Sequence, residues 1–439
     1  MMEVLAYLLF GGAVLGGSIL ESRRRRKRWQ KVAAECGLQQ VVDVSSALHP
    51  QLKAQAGPVE VRIESSGQKD RPFRVTVRPP TPPGFHNVAL RPEAPFRKVR
   101  EIEIGDRSFD TAFVIQGPGL LVAALLDGET RRLMSKANHL RLEISSGELQ
   151  GYLAADEQIP AALSLLLDLG RRLGRPLDVP QRLAENARQD PVPGVRLHNL
   201  LLLVRELPDD PRTAEAIQAA RSDPSPEVRL RLAKEMGFHD ILEALARNLR
   251  DDAVSAEAVA LLGQGLTFER TRDILERALS GRHPLTARAC LEAIGNSADA
   301  AAVEVLAKTL EQGGAKLAAV AARALGATAS PAAETPLIQA LERDPEVRMA
   351  AARALGRVGT VAAVLSLKEE AEGSWLDFRR AARQAIAEIQ ERLHGASPGQ
   401  LSLAGAETGQ LSLAQEGGEL SLAEDPAGRL SLPAGKDPA

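Results

Sequence analysis

The residues of this chain that could do chemistry are few and scattered. Seven histidines and two cysteines, Cys36 and Cys290, are spread over 439 residues, with no HExxH, no CxxC and no Cys/His cluster at the spacing a bound zinc requires. No Walker A loop and no GxSxG elbow is present, so the sequence offers neither a phosphate cradle nor an exposed serine nucleophile. Gly117-Pro118-Gly119 lacks the third glycine and the strand-turn-helix setting of a dinucleotide loop. Asp106 and Asp110 stand near Arg107 and Arg132, a spacing that suits ion pairs rather than a metal site. Cys290 falls on the apolar side of an expected helix and reads as a core filler. Catalytic residues, cofactor and metal are all expected to be absent, and the chain is expected not to be an enzyme.

Charge in register does recur. Arg229, Arg288, Arg323, Arg348 and Arg379 hold near-equivalent places in a repeated helix. They could form a surface for an acidic partner. Alternatively each could bond a neighbouring carboxylate or a helix C-terminus as an internal ladder, the reading favoured where acidic residues outnumber basic ones. The net charge of −2 argues against nucleic acid as a partner, because phosphate binding wants a basic face. Aromatic residues are only 3%, too few for a packed β-sandwich or a base-stacking surface, so Ala and Leu must build close-packed helices. Arg outnumbers Lys by 44 to 11, the coding bias of a GC-rich bacterial genome. The two cysteines lie far apart in different expected domains, which excludes a disulfide framework.

Four elements must position these residues. Residues 1–28 are expected to be a transmembrane anchor with a basic juxtamembrane cluster. Val4 to Leu20 is an uncharged run of 17 residues, about 25 Å as a helix against a hydrocarbon core of roughly 30 Å. Positive charge follows the run rather than preceding it, the reverse of a cleaved signal. Arg23, Arg24, Arg25, Arg26, Lys27 and Arg28, with Trp29 beside them, are expected at the membrane interface among lipid headgroups. This order predicts a bacterial inner-membrane protein, N-terminus out, with the bulk of the chain cytoplasmic. Gly12 and Gly16 form a GxxxG pair that could bring two anchors together as a homodimer, although glycine is also simply common in membrane helices.

Residues 29–178 are expected to form an antiparallel α+β domain. Val59 to Glu64 and Phe73 to Arg78 alternate apolar and polar residues, the mark of strands with one wet face. Shorter strand-like runs follow at 88–90, 101–104, 111–115, 140–144 and 149–153. Helices are expected at 30–38, at 120–136 with a break near Asp127-Gly128, and at 159–173. The stretch 106–153, with Phe109-Asp110-Thr111-Ala112-Phe113-Val114-Ile115 and Thr130-Arg131-Arg132-Leu133, resembles a cytoplasmic domain of bacterial single-pass membrane proteins. The resemblance carries no chemistry. Phe109 and Phe113 read as core anchors.

Residues 179–394 carry an internal repeat. Val228 to Gly237 aligns without a gap on Val347 to Gly356, and the same ten-residue frame fits 254–263, 286–295 and 317–326, with looser copies from Val195 and Phe378. Its closing position falls at 204, 237, 263, 295, 326, 356 and 387, a period that means stacked helical pairs. Asp-Pro at 190, 223 and 344 suits a helix start, and the closing glycine suits a stop. These frames resemble the short HEAT-like repeats first associated with phycobiliprotein lyases. The resemblance implies an all-α solenoid of about seven repeats and a protein-binding surface.

Residues 395–439 repeat a GxLSL motif four times and are expected to be a disordered tail. In it Leu401 and Leu403, Leu411 and Leu413, Leu420 and Leu422, and Leu430 and Leu432 would sit on one face of an extended strand and dock by avidity; a neutral expansion of a short DNA repeat would look the same. The whole reads as a membrane-anchored, non-enzymatic scaffold that recruits a cytoplasmic protein partner. The alternative, implied by the repeat family alone, is a lyase-like enzyme or chaperone acting on a cofactor-bearing protein.

Overall fold

The computed structural model describes residues 21–44, 50–93, 101–297, 299–393, 401–404 and 410–413. The apolar run 4–20, with Gly12 and Gly16, lies outside them. The chain divides into two compact units, residues 1–236 and 237–439.

The first unit is built on an eight-stranded sheet. Its strands are β1 (Gln39–Asp43), β2 (Gln51–Ala56), β3 (Val59–Ser65), β4 (Phe73–Arg78), β5 (Ala89–Pro92), β6 (Phe113–Gln116), β7 (Glu143–Ser145) and β8 (Glu148–Leu153). They lie in the order β1-β2-β3-β4-β8-β7-β5-β6, and every pairing is antiparallel. Register follows the alternation. Val61 sits opposite Val77 and Ile63 opposite Val75, so one face is apolar and buried. Between them Glu64 faces the other way and takes hydrogen bonds from Arg74 Nε at 3.0 Å and Gln51 Nε2 at 2.8 Å. β1 and β2 carried no alternation strong enough to announce them. Conversely, residues 101–104 form no strand, and of the run expected at 111–115 the first two residues close a helix while the rest form β6.

Five helices accompany the sheet: α1 (residues 21–35), α2 (Arg107–Ala112), α3 (Gly119–Leu125), α4 (Gly128–Ala137) and α5 (Ile159–Leu173). α5 buries Ile159, Leu163, Leu166, Leu167 and Leu173. It lies directly on β4, because a Cβ at Gly170 would stand 2.9 Å from Val77 Cγ1. α1 begins earlier than the short helix expected from residue 30. Its Trp29 is 1% exposed and meets Phe73 of β4 edge-on at 6.2 Å. Phe109 of α2 and Phe113 of β6 stack with centroids 4.8 Å apart, both buried.

The same unit continues into α6 (Val179–Gln189), α7 (Pro193–Glu206), α8 (Pro211–Ala220) and α9 (Pro226–Met236). No gap separates them from the sheet domain. The Gly105 and Gly194 backbones touch so closely that a Cβ on Gly194 would fall 2.2 Å from the Gly105 carbonyl oxygen. Asn186 Nδ2 also donates to the Ala123 carbonyl of α3 at 3.0 Å.

The second unit is a stack of α10 (His239–Asn248), α11 (Asp252–Leu262), α12 (Phe268–Ser280), α13 (Pro284–Gly295), α14 (Ala302–Gln312), α15 (Ala315–Ala327), α16 (Glu334–Gln339), α17 (Pro345–Val358), α18 (Val361–Ala371) and α19 (Leu376–Arg392). The recurring frame of the sequence occupies α7, α9, α11, α13, α15, α17 and α19. Within this unit α11, α13, α15, α17 and α19 pack side by side as one layer. In the tail, β9 (Leu401–Ala404) and β10 (Gln410–Leu413) pair antiparallel, with Leu401 opposite Leu413 and Leu403 opposite Leu411. Two extended copies of one motif can satisfy each other's backbone groups in this way.

Candidate interaction surface

In the first unit, arginine and aspartate form a buried chain. Arg131 of α4 donates Nη1 and Nη2 to the two oxygens of Asp190, each at 2.8 Å, Nε to Asp106 at 2.9 Å and Nη1 to the Leu126 carbonyl at 2.8 Å. Arg196 of α7 repeats the pattern, forking onto Asp223 at 2.8 Å twice and donating to the Asp190 carbonyl at 2.8 Å. Arg229 of α9 in turn donates to the Asp223 carbonyl. The Asp-Pro aspartates thus serve the preceding helix pair as carboxylate acceptors. The two-forked geometry is the strong form of this contact. The expected pairing of Asp106 or Asp110 with Arg107 or Arg132 is corrected. Arg132 pairs with Glu129, Asp106 with Arg131, and Asp110 accepts the backbone N–H groups of Ile104 and Gly105 at 3.1 Å each.

In the second unit, polar contacts tie successive helix ends. Asp252 at the head of α11 accepts the Leu285 and Thr286 N–H groups at 3.0 and 2.9 Å and the Thr286 hydroxyl at 2.7 Å, capping α13 from the neighbouring repeat. Burial alone would raise its carboxyl, but these donors take it below the usual carboxylate range. Arg392 donates to the Gly356 and Gly359 carbonyls at 3.2 and 2.6 Å, covering the end of α17. The ladder reading of the arginines therefore holds for Arg229. It holds in looser form for Arg348, which pairs with Glu370 at 3.8 Å and stands 5.7 and 5.8 Å from the Trp375 and Phe378 rings. Arg288 pairs with Glu292 on its own helix.

The closing glycines do two different jobs. Gly237 and Gly263 have φ of 70° and 47° and stop their helices, as expected. Gly295, Gly326 and Gly356 instead lie inside α13, α15 and α17. A Cβ at Gly326 would be 2.8 Å from Ala354 Cα and Cβ, and at Gly295 2.7 Å from the Ala324 carbonyl oxygen. Three of the expected stops are thus contact points, because a side chain there would hold neighbouring backbones apart.

This close packing buries more than half of α17 and leaves a narrow exposed stripe. Glu346, Arg353 and Arg357 are exposed on it and Met349 is half-buried. On α15 the equivalent line carries exposed Lys316 and Arg323. Arg323, Arg353 and Arg357 have no ion-pair or hydrogen-bond partner among the described residues. Where the end of α12 meets the starts of α13 and α15, an open groove of about 280 Å³ is lined by Leu279, Arg282, His283, Pro284, Ala287 and Leu317. Beside it Leu285 is 50% exposed.

The residues singled out for lipid divide. Arg23, Arg24, Lys27 and Arg28 are exposed on α1, and Arg25 and Arg26 are half-buried. Arg25 lies over the Phe73 ring at 5.2 Å and Arg28 pairs with Asp156 at 2.9 Å. Trp29 is corrected: it points into the core, because the helix face four residues round from Arg25 is the one docked on β4. Leu401, Leu403, Leu411 and Leu413 lie in β9 and β10, whereas Leu420, Leu422, Leu430 and Leu432 lie outside the described residues. No described helix is long and apolar enough to cross a membrane.

Among the described residues no group of three His, Cys, Asp or Glu side chains could hold a metal ion. Cys36 and Cys290 are free thiols, and burial pushes Cys290 up to about 12. Among curated proteins no relative matches the chain. A solved structure of human deoxyhypusine hydroxylase in complex with glycerol matches 48% of this chain and 96% of its own, at 19% identity and a TM-score of 0.23, too low to carry an argument. Residues 314–387 match the family model of HEAT repeats, over the stretch that holds α15, α16, α17 and α18. Residues 314–387 thus carry HEAT-like repeats, within a helical repeat stack that follows an N-terminal sheet region.

Proposed function

We propose that this chain is a non-enzymatic scaffold that recruits a protein partner. It is held at a membrane by residues 4–20, with its bulk on the cytoplasmic side. The observation that carries the reading is the stripe on α15 and α17. There a layer that buries more than half of each helix still presents three arginines that nothing among the described residues neutralises. Arginine enriched at an otherwise close-packed surface is a frequent anchor for a protein partner. The tail leucines supply a second, multivalent contact. A crosslinked pull-down from native membranes tests this with the full chain, a chain ending at residue 394, and an Arg353→Glu/Arg357→Glu variant. Partners held by the full chain and lost with the charge reversal are the expected result. Recovery unchanged by both alterations would overturn it.

A further inference from the structure

We infer that an acidic segment of the chain's own tail, residues 415–425, docks on the arginine stripe of α15 and α17 and occupies it until a partner displaces it. The inference takes from the proposed function only that this stripe is a binding surface.

Charge is the first ground. Gln415-Glu416-Gly417-Gly418-Glu419-Leu420-Ser421-Leu422-Ala423-Glu424-Asp425 carries four carboxylates in eleven residues and no basic residue. The stripe offers Arg323, Arg353 and Arg357, exposed and without a partner among the described residues, with Lys316 on the same line and Glu346 as its acid. Several other arginines of the second unit are matched within it, as Arg270 is to Glu243, Arg272 to Glu269, Arg288 to Glu292 and Arg348 to Glu370.

Apolar surface is the second ground. Leu420 and Leu422 lie between the two acidic pairs, and the layer offers exposed Leu285 and the groove along Leu279 and Leu317. Arg282 lines that groove as well, so leucines seated there would have a cation beside them.

Reach is the third. α19, which ends at Arg392, packs against α17, and α17 against α15. Neighbouring helices stand about 8–10 Å apart. The 24 residues from Arg392 to Glu416 can extend to roughly 80 Å, several times the distance required. Tethering of this kind sets an effective concentration in the range of about millimolar, so a contact too weak to hold a free peptide is largely closed in the intact chain.

The test uses a fluorescein-labelled peptide of residues 413–427 titrated onto two proteins, the full chain and the chain ending at residue 394. The tail-less chain should bind the peptide at least about tenfold more tightly than the full chain, whose own tail competes. Binding should weaken as salt rises. In the tail-less chain, Arg323→Glu/Arg353→Glu/Arg357→Glu should lose about tenfold or more, with unchanged circular dichroism showing that the fold is kept. A peptide with Glu416→Gln, Glu419→Gln, Glu424→Gln and Asp425→Asn should lose as much. Equal binding to full and tail-less chains, no binding to either, or indifference to the charge changes would each overturn the proposal. Self-association of the full chain in sedimentation, absent from the tail-less chain, would also overturn it, since the tail would then act between copies. The titration involves no other protein, so it can fail while recruitment stands, and the pull-down can fail while the tail still docks.

Discussion

Arg131 has 4% of its side chain in contact with water, and Asp106 and Asp190 are the reason a cation can stand there. Removing one partner of such a pair leaves a charge with neither water nor counter-ion, a loss of about 3–5 kcal/mol. Asp190→Ala should therefore lower the unfolding free energy of the first unit by about that much, read as a lower denaturant midpoint followed by fluorescence of the core residue Trp29. Arg131→Leu with Asp190→Leu should recover most of the loss, because no charge is left stranded. Asp127 is a second measurable case. Burial would raise its carboxyl, but hydrogen bonds from Arg172 and from the Thr130 N–H and hydroxyl bring it below the ordinary value. A folded-state value below the unfolded one means stability that is present above about pH 4 and is lost as pH falls through the folded value. Asp106 and Asp252 are lowered in the same direction. Urea midpoints should thus hold from pH 7 to 5 and fall toward pH 3, and Asp127→Asn should flatten part of that fall while lowering the plateau. None of these partners could be named from sequence. Arg131 and Arg132 are adjacent and chemically identical, and only the helix face decides that one is buried on Asp190 and the other exposed on Glu129.

At the scale of elements, the repeat frame located seven helices because period and apolar pattern are properties of the chain itself. The role of the closing glycine was not legible. Gly237 and Gly326 occupy the same column, yet one has a φ of 70° with open space around it and the other lies against Ala354. One substitution separates them. Gly237→Asn should be nearly silent, since Asn accepts the left-handed region and nothing crowds it. Gly326→Asn must push α17 away and should cost about 1–3 kcal/mol, read as a lower thermal midpoint of the second unit. Equal losses at both sites would remove the distinction. β1 and β2 were missed for a related reason: Gln51-Leu52-Lys53-Ala54-Gln55-Ala56 has only small or single apolar residues facing inward, and it becomes a strand by pairing with β3 rather than by its own preference. The arginine stripe was half legible. Arg348 and Arg353 share one helix, and only the fold puts Glu370 beside the first and leaves the second without a partner among the described residues.

For the whole molecule, the order of charge around residues 4–20 sets an expectation that the fold does not address. A reporter enzyme active only outside the membrane, fused after Leu393 at the end of α19, should be silent. Activity there would reverse the topology. The units themselves divide at Gly237, inside the repeat array rather than at its start. The sheet region and the first helical pairs consequently share one buried charge network, which the sequence, read segment by segment, had kept apart.

The hard contacts of Gly295, Gly326 and Gly356 also give the second unit a direction of stiffness. α13 meets α15 and α15 meets α17 backbone to side-chain stub, at Ala324 and Ala354, while α17 meets α19 at Ala385 and Glu388. α14, α16 and α18 touch one another only sparsely. A bend that brings these helices closer must drive backbone into side-chain stub, whereas one that draws them apart only parts small contacts. The layer should therefore resist compression more than extension, yielding to load in one sense and not in the other.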